Sequence, residues 1–110
     1  MKDSGLSSGL ATVFIPGSTA AVTTIEFEEG VVNDLSVAME RLVPRDIAYK
    51  HNERWNDENG YSHIRAALLG PSLTIPFIHG KLLLGRWQQI VLLDFDNRSR
   101  SRQYLINILG

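Results

Sequence analysis

Two of the three histidines of this chain lie in one polar stretch, residues 51–64 (HNERWNDENGYSHI). The stretch also holds carboxylates, asparagines and a tryptophan, so it offers both proton-transfer groups and metal ligands. His51 and His63 are twelve residues apart, which is not the i, i+4 spacing of a helical zinc pair. Spacing alone leaves two alternatives open: a functional site, or a solvated loop histidine followed by a histidine at a helix start.

Two carboxylates occupy positions where a charge needs an explanation. Glu26 ends a run of Thr, Ala, Val and Ile, so it either points to solvent or enters a pocket as a base or ligand. Asp34 falls beside the apolar stripe of a predicted helix, where a charge must be solvated, paired or functional. Together with a histidine, such carboxylates can bind a divalent ion or transfer a proton.

Hydroxyl and amide side chains near glycines are candidates for ligand binding. Ser18 and Thr19 follow a Pro-Gly break and can hold a phosphate through their hydroxyls and the amides of the turn. The G-x-x-x-x-G-K-[ST] pattern of a P-loop is absent. Gln88 either reaches a ligand or satisfies backbone groups, and the preceding Trp87 is expected in the core or at an interface.

Hydrophobic periodicity predicts the elements that must position these residues. The predicted strands are 10–15, 19–26, 72–78, 82–84, 87–95 and 102–109, and the predicted helices are 28–42 and 61–69. A polar loop is expected between the two helices, and the last two strands are expected to pair as a hairpin. Pro76 inside the third strand indicates a sheet edge or a bulge. The order predicts an α+β fold: a mostly antiparallel sheet or sandwich with one main helix and one short helix.

Composition restricts the class of protein. With 110 residues, 44% of them hydrophobic and 21% charged, the chain is typical of one globular domain spanning residues 1–110. The net charge of −1 argues against a nucleic-acid partner, and the basic run at 97–102 (NRSRSR) is expected to be a solvated turn. The absence of cysteine excludes disulfides and thiolate ligands. No run has the length of a signal peptide or membrane helix, so we expect no membrane partner and a cytoplasmic protein.

Several of these segments together resemble the YjbQ family, which is often labelled secondary thiamine-phosphate synthase. The matching runs are GSTAAVTTIEFEEGVVNDL, YKHN, SHIRAALLG and SLTIPFIHGKLLLGRWQQIVLLDFD. The resemblance covers the chain from about Gly9 to the C-terminus. It implies a small cytoplasmic α+β protein that assembles as a homotrimer, with polar pockets near the subunit contacts. It also implies an additional strand and helix before the point where this chain starts.

The resemblance assigns roles to particular residues. It implies that Glu26, Asp34, His51 and His63 are catalytic, and that the last three of them hold a divalent ion such as zinc, manganese or magnesium. Four residues are expected to bind a small phosphorylated ligand, either from the resemblance or from the sequence itself: Ser18, Thr19, Arg86 and Gln88.

Two positions depart from the family pattern. Gly17 stands where the family usually has a histidine before its Ser/Thr-Thr-Ala run, so any chemistry of that histidine is lost here. Arg86 replaces the threonine that usually precedes Trp-Gln, and its added cation favours a phosphate-bearing ligand.

Three functions follow as alternatives. The first is a transferase that joins a pyrimidine methyl diphosphate to a thiazole phosphate and releases pyrophosphate, with the diphosphate neutralised by a metal or by cationic side chains. The second is a non-catalytic trimer that binds a small anion or a metal, which the glycine at position 17 favours. The third is an assembly module without a site, in which His51 and His63 point apart into solvent.

Overall fold

Six strands and three helices form the part of the chain that the computed structural model describes, residues 4–55 and 58–110. In chain order they are β1 (Gly9–Phe14), β2 (Ala20–Ile25), α1 (Glu29–Leu42), α2 (Lys50–Trp55), α3 (Gly60–Leu69), β3 (Ser72–Ile78), β4 (Lys81–Leu82), β5 (Gln89–Asp94) and β6 (Leu105–Leu109). Every strand pair among them is antiparallel, which confirms the predicted α+β class. None of the described helices has the length and apolar character needed to span a membrane.

The larger sheet has the strand order β4-β3-β1-β6 and buries one of its faces. Because side chains alternate along a strand, Ala11 and Val13 of β1 enter the core beside Ile75 and Phe77 of β3. Pro76 fits into β3 because its neighbour on that side is the short β4, where the Pro76 carbonyl accepts from Leu83 N–H at 2.9 Å. The expected edge position is not observed, because β3 lies between β1 and β4, although β4 pairs with only two residues of β3.

The smaller sheet pairs β2 with β5, and this corrects the predicted hairpin of the last two strands. In β2, Ala20 lies opposite Asp94 of β5, whereas β6 pairs with β1, with Leu10 opposite Leu109. The segment between β5 and β6 therefore crosses from one sheet to the other. Alternation identified both strands but carries no information about the partner of each strand.

The connection between β1 and β2 also passes from one sheet to the other. Backbone hydrogen bonds fix it at both ends: Ile15 N–H donates to Pro71 O at 2.9 Å and Val22 N–H donates to Gly70 O at 3.1 Å. Phe95 N–H donates to Thr19 O at 2.9 Å. These bonds hold the β1–β2 connection in place, with the end of α3 on one side of it and the end of β5 on the other.

Helix α1 begins as the sequence predicted. The Glu28 carboxylate accepts hydrogen bonds from Gly30 N–H at 2.9 Å and Val31 N–H at 2.7 Å, which satisfies two amides of the first turn. The carboxylate is also favourable beside the helix N-terminus. Between α1 and the smaller sheet lies a cleft of about 420 Å³, here called the α1 cleft, whose apolar side chains are Ile25, Phe27, Val32, Leu35, Met39, Val91, Leu92, Leu93 and Phe95.

The predicted polar loop contains a third helix, α2, that the sequence did not indicate. Its six residues, KHNERW, have no apolar stripe, so periodicity could not identify it. Asn52 anchors the junction with α3, because its Oδ1 accepts from Gly60 N–H at 2.8 Å. Gly60 is required there, since a Cβ at that position would lie 2.6 Å from Tyr49 Cβ.

Candidate functional site: a histidine–arginine cavity

A polar cavity of about 340 Å³ gathers residues from the four segments that meet beside α3. We call it the histidine–arginine cavity. Its lining residues are Gly17, Ser18, Thr19, His51, Asn59, His63, Asp96, Arg100 and Arg102. The β1–β2 connection, α2, the start of α3 and the β5–β6 segment all contribute, so the site exists only in the folded chain.

The two histidines face each other in this cavity. The ring centroids of His51 on α2 and His63 on α3 are 4.2 Å apart, with the ring planes inclined by 46°. His51 Nε2 lies 2.9 Å from Asn59 Oδ1, which fixes the orientation of the ring. The assembly-module hypothesis required the two rings to point apart into solvent, and their contact contradicts it.

Asp96 organises the opposite wall of the cavity. Its side chain is fully buried and accepts from Thr19 Oγ1 at 3.2 Å and from Asn59 Nδ2 at 3.2 Å. Arg100 forms an ion pair and hydrogen bond with the same carboxylate. Because Asn59 also contacts His51, a continuous chain of hydrogen bonds joins the histidine pair to the arginines.

Arg102 completes this wall. Its Nη2 donates to Thr19 Oγ1 at 2.6 Å and to Asp94 Oδ1 at 2.8 Å, and it lies 3.9 Å from Asp96 Oδ2. Its side chain is 19% exposed, and its Nε is buried without a hydrogen-bond partner among the described residues. The basic run was predicted to be a solvated turn, and for Arg102 that prediction is wrong, because two aspartates and Thr19 draw the guanidinium inward.

The electrostatics of the cavity keep both aspartates ionised. Burial alone would raise the pKa of Asp96, but hydrogen bonds from Arg100, Asn59 and the Asn97 amide outweigh it and bring the pKa to about 2. The hydrogen bond from Arg102 lowers the pKa of Asp94. Two arginines and two ionised aspartates therefore coexist at neutral pH, and their formal charges cancel.

Four predicted site residues meet here, and four lie elsewhere. Ser18 and Thr19 line the cavity together with His51 and His63. Glu26 and Asp34 are exposed, and neither belongs to the lining of this cavity, so the expected set of Asp34 with the two histidines is not assembled in the described structure. No group of three His, Cys, Asp or Glu side chains within residues 4–55 and 58–110 is arranged to hold a metal ion.

Arg86 and Gln88 also lie outside the cavity. The Arg86 guanidinium stacks 4.8 Å from the ring centroid of Trp87, which is 59% exposed and therefore does not belong to the core. Gln88 Oε1 accepts from Gly85 N–H at 2.7 Å, and Gln88 Nε2 donates to Thr24 Oγ1 at 3.4 Å. Of the two alternatives for Gln88, the structure shows the one in which it satisfies a backbone group.

Sequence reasoning missed four residues of the cavity: Asn59, Asp96, Arg100 and Arg102. One signal was available, since the run DFDNRSRSR brings two aspartates next to three arginines. Aspartates followed by arginines at the end of a strand can pair with one another, and here Asp94 and Asp96 pair with Arg100 and Arg102 around a cavity rather than in solvent.

Comparisons with known proteins agree with the fold and with the resemblance. The family profile described as "UPF0047 protein YjbQ-like" matches residues 1–110. A UPF0047 protein of Archaeoglobus fulgidus is 41% identical over 101 residues, which cover 92% of this chain and 78% of that protein. A UPF0047 protein of Methanothermobacter thermautotrophicus is 37% identical over 110 residues, covering 100% of this chain and 75% of that protein.

Solved structures give the same result. The crystal structure of a YbjQ-like protein of unknown function from Sulfolobus solfataricus superposes with a TM-score of 0.93 at 32% identity, covering 99% of this chain and 78% of that one. A YjbQ/UPF0047 protein from Clostridium acetobutylicum superposes with a TM-score of 0.88 at 37% identity, covering 98% and 81% of the two chains.

Proposed function

This chain belongs to the YjbQ-like UPF0047 family, and on that premise we propose that it binds a small phosphorylated ligand in the histidine–arginine cavity. The observation that carries the proposal is the pair of contacting histidines facing two arginines across one cavity. Arginine guanidinium groups and imidazolium rings donate charge-assisted hydrogen bonds to phosphate oxygens. The hydroxyl of Ser18, which lines the same cavity, supplies a neutral donor.

The charge balance of the cavity leaves the histidines as the residues that can add a net positive charge to the site. Arg100 and Arg102 are offset by Asp94 and Asp96, so an additional positive charge must come from the imidazoles. A protonated imidazole donates from both of its ring nitrogens, and such charge-assisted bonds to a phosphate oxygen would favour the protonated ring when the ligand is bound.

The test is calorimetric titration of the full chain with inorganic phosphate and with pyrophosphate at one fixed pH. Arg100→Gln removes a cation whose side chain is 35% exposed, and loss of one charge-assisted bond should weaken binding about tenfold. Arg98→Gln is the matched control, because Arg98 is exposed in the same segment and does not line this cavity. Equal affinity in wild type and Arg100→Gln would reject the proposed site.

The second candidate is transferase activity of the thiamine-phosphate synthase type, and the histidine pair is the observation that favours it. The thiazole nitrogen attacks the methylene carbon of the pyrimidine methyl diphosphate; a C–N bond forms, the C–O bond breaks and pyrophosphate leaves. Arg100 and Arg102 would neutralise the leaving group, and an imidazolium would protonate it. Incubation with both substrates should release pyrophosphate in wild type but not in His63→Ala, and no release in wild type would reject this candidate.

The described donor set does not fit a resident divalent metal, and no step of either candidate is assigned to one. His51 and His63 offer two imidazoles, while the expected third ligand, Asp34, is exposed on α1. Titration of the metal-stripped protein with zinc and manganese tests this point against His63→Ala. We expect no binding event that depends on His63, and a tight event lost in the variant would restore the metal site.

Self-association is also proposed, as the homotrimer that the family resemblance implies. β6 is an edge strand of the larger sheet, and its Leu105, Ile106 and Leu109 are each about 60% exposed. An exposed apolar edge strand favours association with another chain. Light scattering should therefore give a trimer mass, and Ile106→Lys should lower that mass. A monomeric wild type would contradict the proposal.

A further inference from the structure

A second cavity of about 250 Å³ adjoins the histidine–arginine cavity. The two share three lining residues, Gly17, Ser18 and His63. The lining of the second cavity that is not shared consists of Ala20, Ala66, Ala67 and Pro71, here called the alanine shelf. The two cavities therefore form one elongated depression along the β1–β2 connection and α3.

The two ends of this depression differ in chemistry. The histidine–arginine end carries two arginines, two histidines and a buried aspartate. The side chains of the alanine shelf have no charge and no hydrogen-bonding group, and they are small enough to leave a flat surface. A site of this form suits a ligand that has an anionic group at one end and an apolar group at the other.

Gly17 lies where the two ends meet. Its φ of +144° is one that residues with side chains rarely adopt, and a Cβ there would lie 2.9 Å from Arg102 Nη1. A side chain at this position would therefore displace the guanidinium and project toward the histidine–arginine cavity, whose lining includes Arg102. The absence of a side chain at position 17 leaves that space open.

We propose that the ligand of this protein is a phosphate monoester whose organic group is small and apolar and lies on the alanine shelf. The proposal rests on the proposed phosphate site and adds the chemical class of the ester. The phosphate contacts Arg100 and Arg102, the ester passes over Gly17, and the organic group packs against Ala67 and Pro71. Burial of an aromatic ring on the shelf should strengthen binding by about tenfold.

The experiment compares phenyl phosphate with methyl phosphate, which has the same charge but almost no apolar surface. In wild type, phenyl phosphate should bind about tenfold more tightly. Ala67→Phe fills the shelf from an exposed helical position and should abolish this preference, so that phenyl phosphate binds no more tightly than methyl phosphate. Leu68→Phe is the matched control, because Leu68 is 62% exposed on the same helix and does not line the shelf.

The outcomes separate the two proposals. Equal affinity of both esters in wild type overturns the assignment of the alanine shelf and leaves the phosphate site intact. A preference for phenyl phosphate that survives in Ala67→Phe also overturns it, because the ring must then bind elsewhere. Failure of both esters to bind overturns the proposed phosphate site and the shelf with it.

Discussion

The histidine–arginine cavity and the α1 cleft have similar sizes and share Asp96 as a lining residue, yet they are held together differently. In the cavity, hydrogen bonds fix Thr19, Asn59 and Arg100 around the Asp96 carboxylate, and Arg102 is held beside it by hydrogen bonds to Thr19 and Asp94. The α1 cleft is lined mostly by aliphatic and aromatic side chains, and Phe27 at its edge is 68% exposed. Hydrogen bonds impose direction on the first region, whereas the non-directional hydrophobic effect leaves the second free to repack.

This difference indicates where function depends on single residues. Each member of a buried polar network leaves an unpaired partner when it is removed, so the effects of substitution are large. An apolar surface that is partly exposed loses little when one methyl group is deleted. Substitutions in the histidine–arginine cavity should therefore change stability and phosphate binding more than substitutions in the α1 cleft do.

The largest effect is expected for Asp96→Ala. The substitution removes the fully buried carboxylate that pairs with Arg100 and Arg102. Removal of one partner from such a network costs about 3 kcal/mol of unfolding free energy. Urea denaturation measures the loss. Asp46→Ala, at an exposed aspartate outside the cavity, is the control and should change stability by less than about 0.5 kcal/mol. Similar losses in the two variants would show that the Asp96 network is not a stabilising unit.

Gly60→Ala should have the next largest effect. The added Cβ would meet Tyr49 Cβ at 2.6 Å and Asn52 Oδ1 at 3.0 Å, so α2 must move away from α3. We expect a loss of about 2 kcal/mol from overpacking and weaker phosphate binding, because His51 moves with α2. Gly85→Ala is the matched control, since the atoms nearest to its Cβ would belong to the flexible, exposed side chain of Gln88. Unchanged phosphate affinity in Gly60→Ala would show that the position of the histidine pair does not affect ligand binding.

The sequence was sufficient for every element except α2, but not for the cavity that the elements build. Periodicity placed α1 and β3 correctly, because each buries one face against the core. The partners of Thr19 lie far away in sequence, at Asp96 and Arg102, separated from it by 77 and 83 positions. No local pattern encodes such a pairing, so β5 and β6 were predicted to pair as a hairpin and Arg102 was predicted to be solvated.

The contact between the two histidines was also beyond what a local sequence pattern can predict. Their types indicated chemistry, but their spacing of twelve residues is not the i, i+4 spacing that places two side chains together on a helix. The contact between them depends on α2, a helix without an apolar stripe, and on the packing of Gly60 against Tyr49. Only the family resemblance favoured a site at His51 and His63, while it also pointed to Asp34, which the fold leaves on the exposed surface of α1.

Acid titration of stability should give a smaller effect with a defined sign. The folded-state pKa of Asp96 is about 2, below the ordinary aspartate value of about 3.9, so this group stabilises the fold above pH 4. That contribution is lost as the pH falls from about 4 to about 2, and Asp94 acts in the same direction because its pKa is also lowered. Urea denaturation across this range should show a steeper loss in wild type than in Asp96→Asn. An equal loss of stability with falling pH in wild type and Asp96→Asn would contradict the lowered pKa of Asp96.

The smallest effect is expected in the α1 cleft. Val32→Ala removes two methyl groups from a side chain that is 40% exposed, so the unfolding free energy should fall by less than about 1 kcal/mol. Phosphate affinity should not change, because Val32 lines the α1 cleft and not the histidine–arginine cavity. Calorimetric titration with inorganic phosphate measures this. A clear loss of affinity would mean that packing beneath α1 reaches the cavity through Asp96, the residue that lines both, and that the two regions act as one.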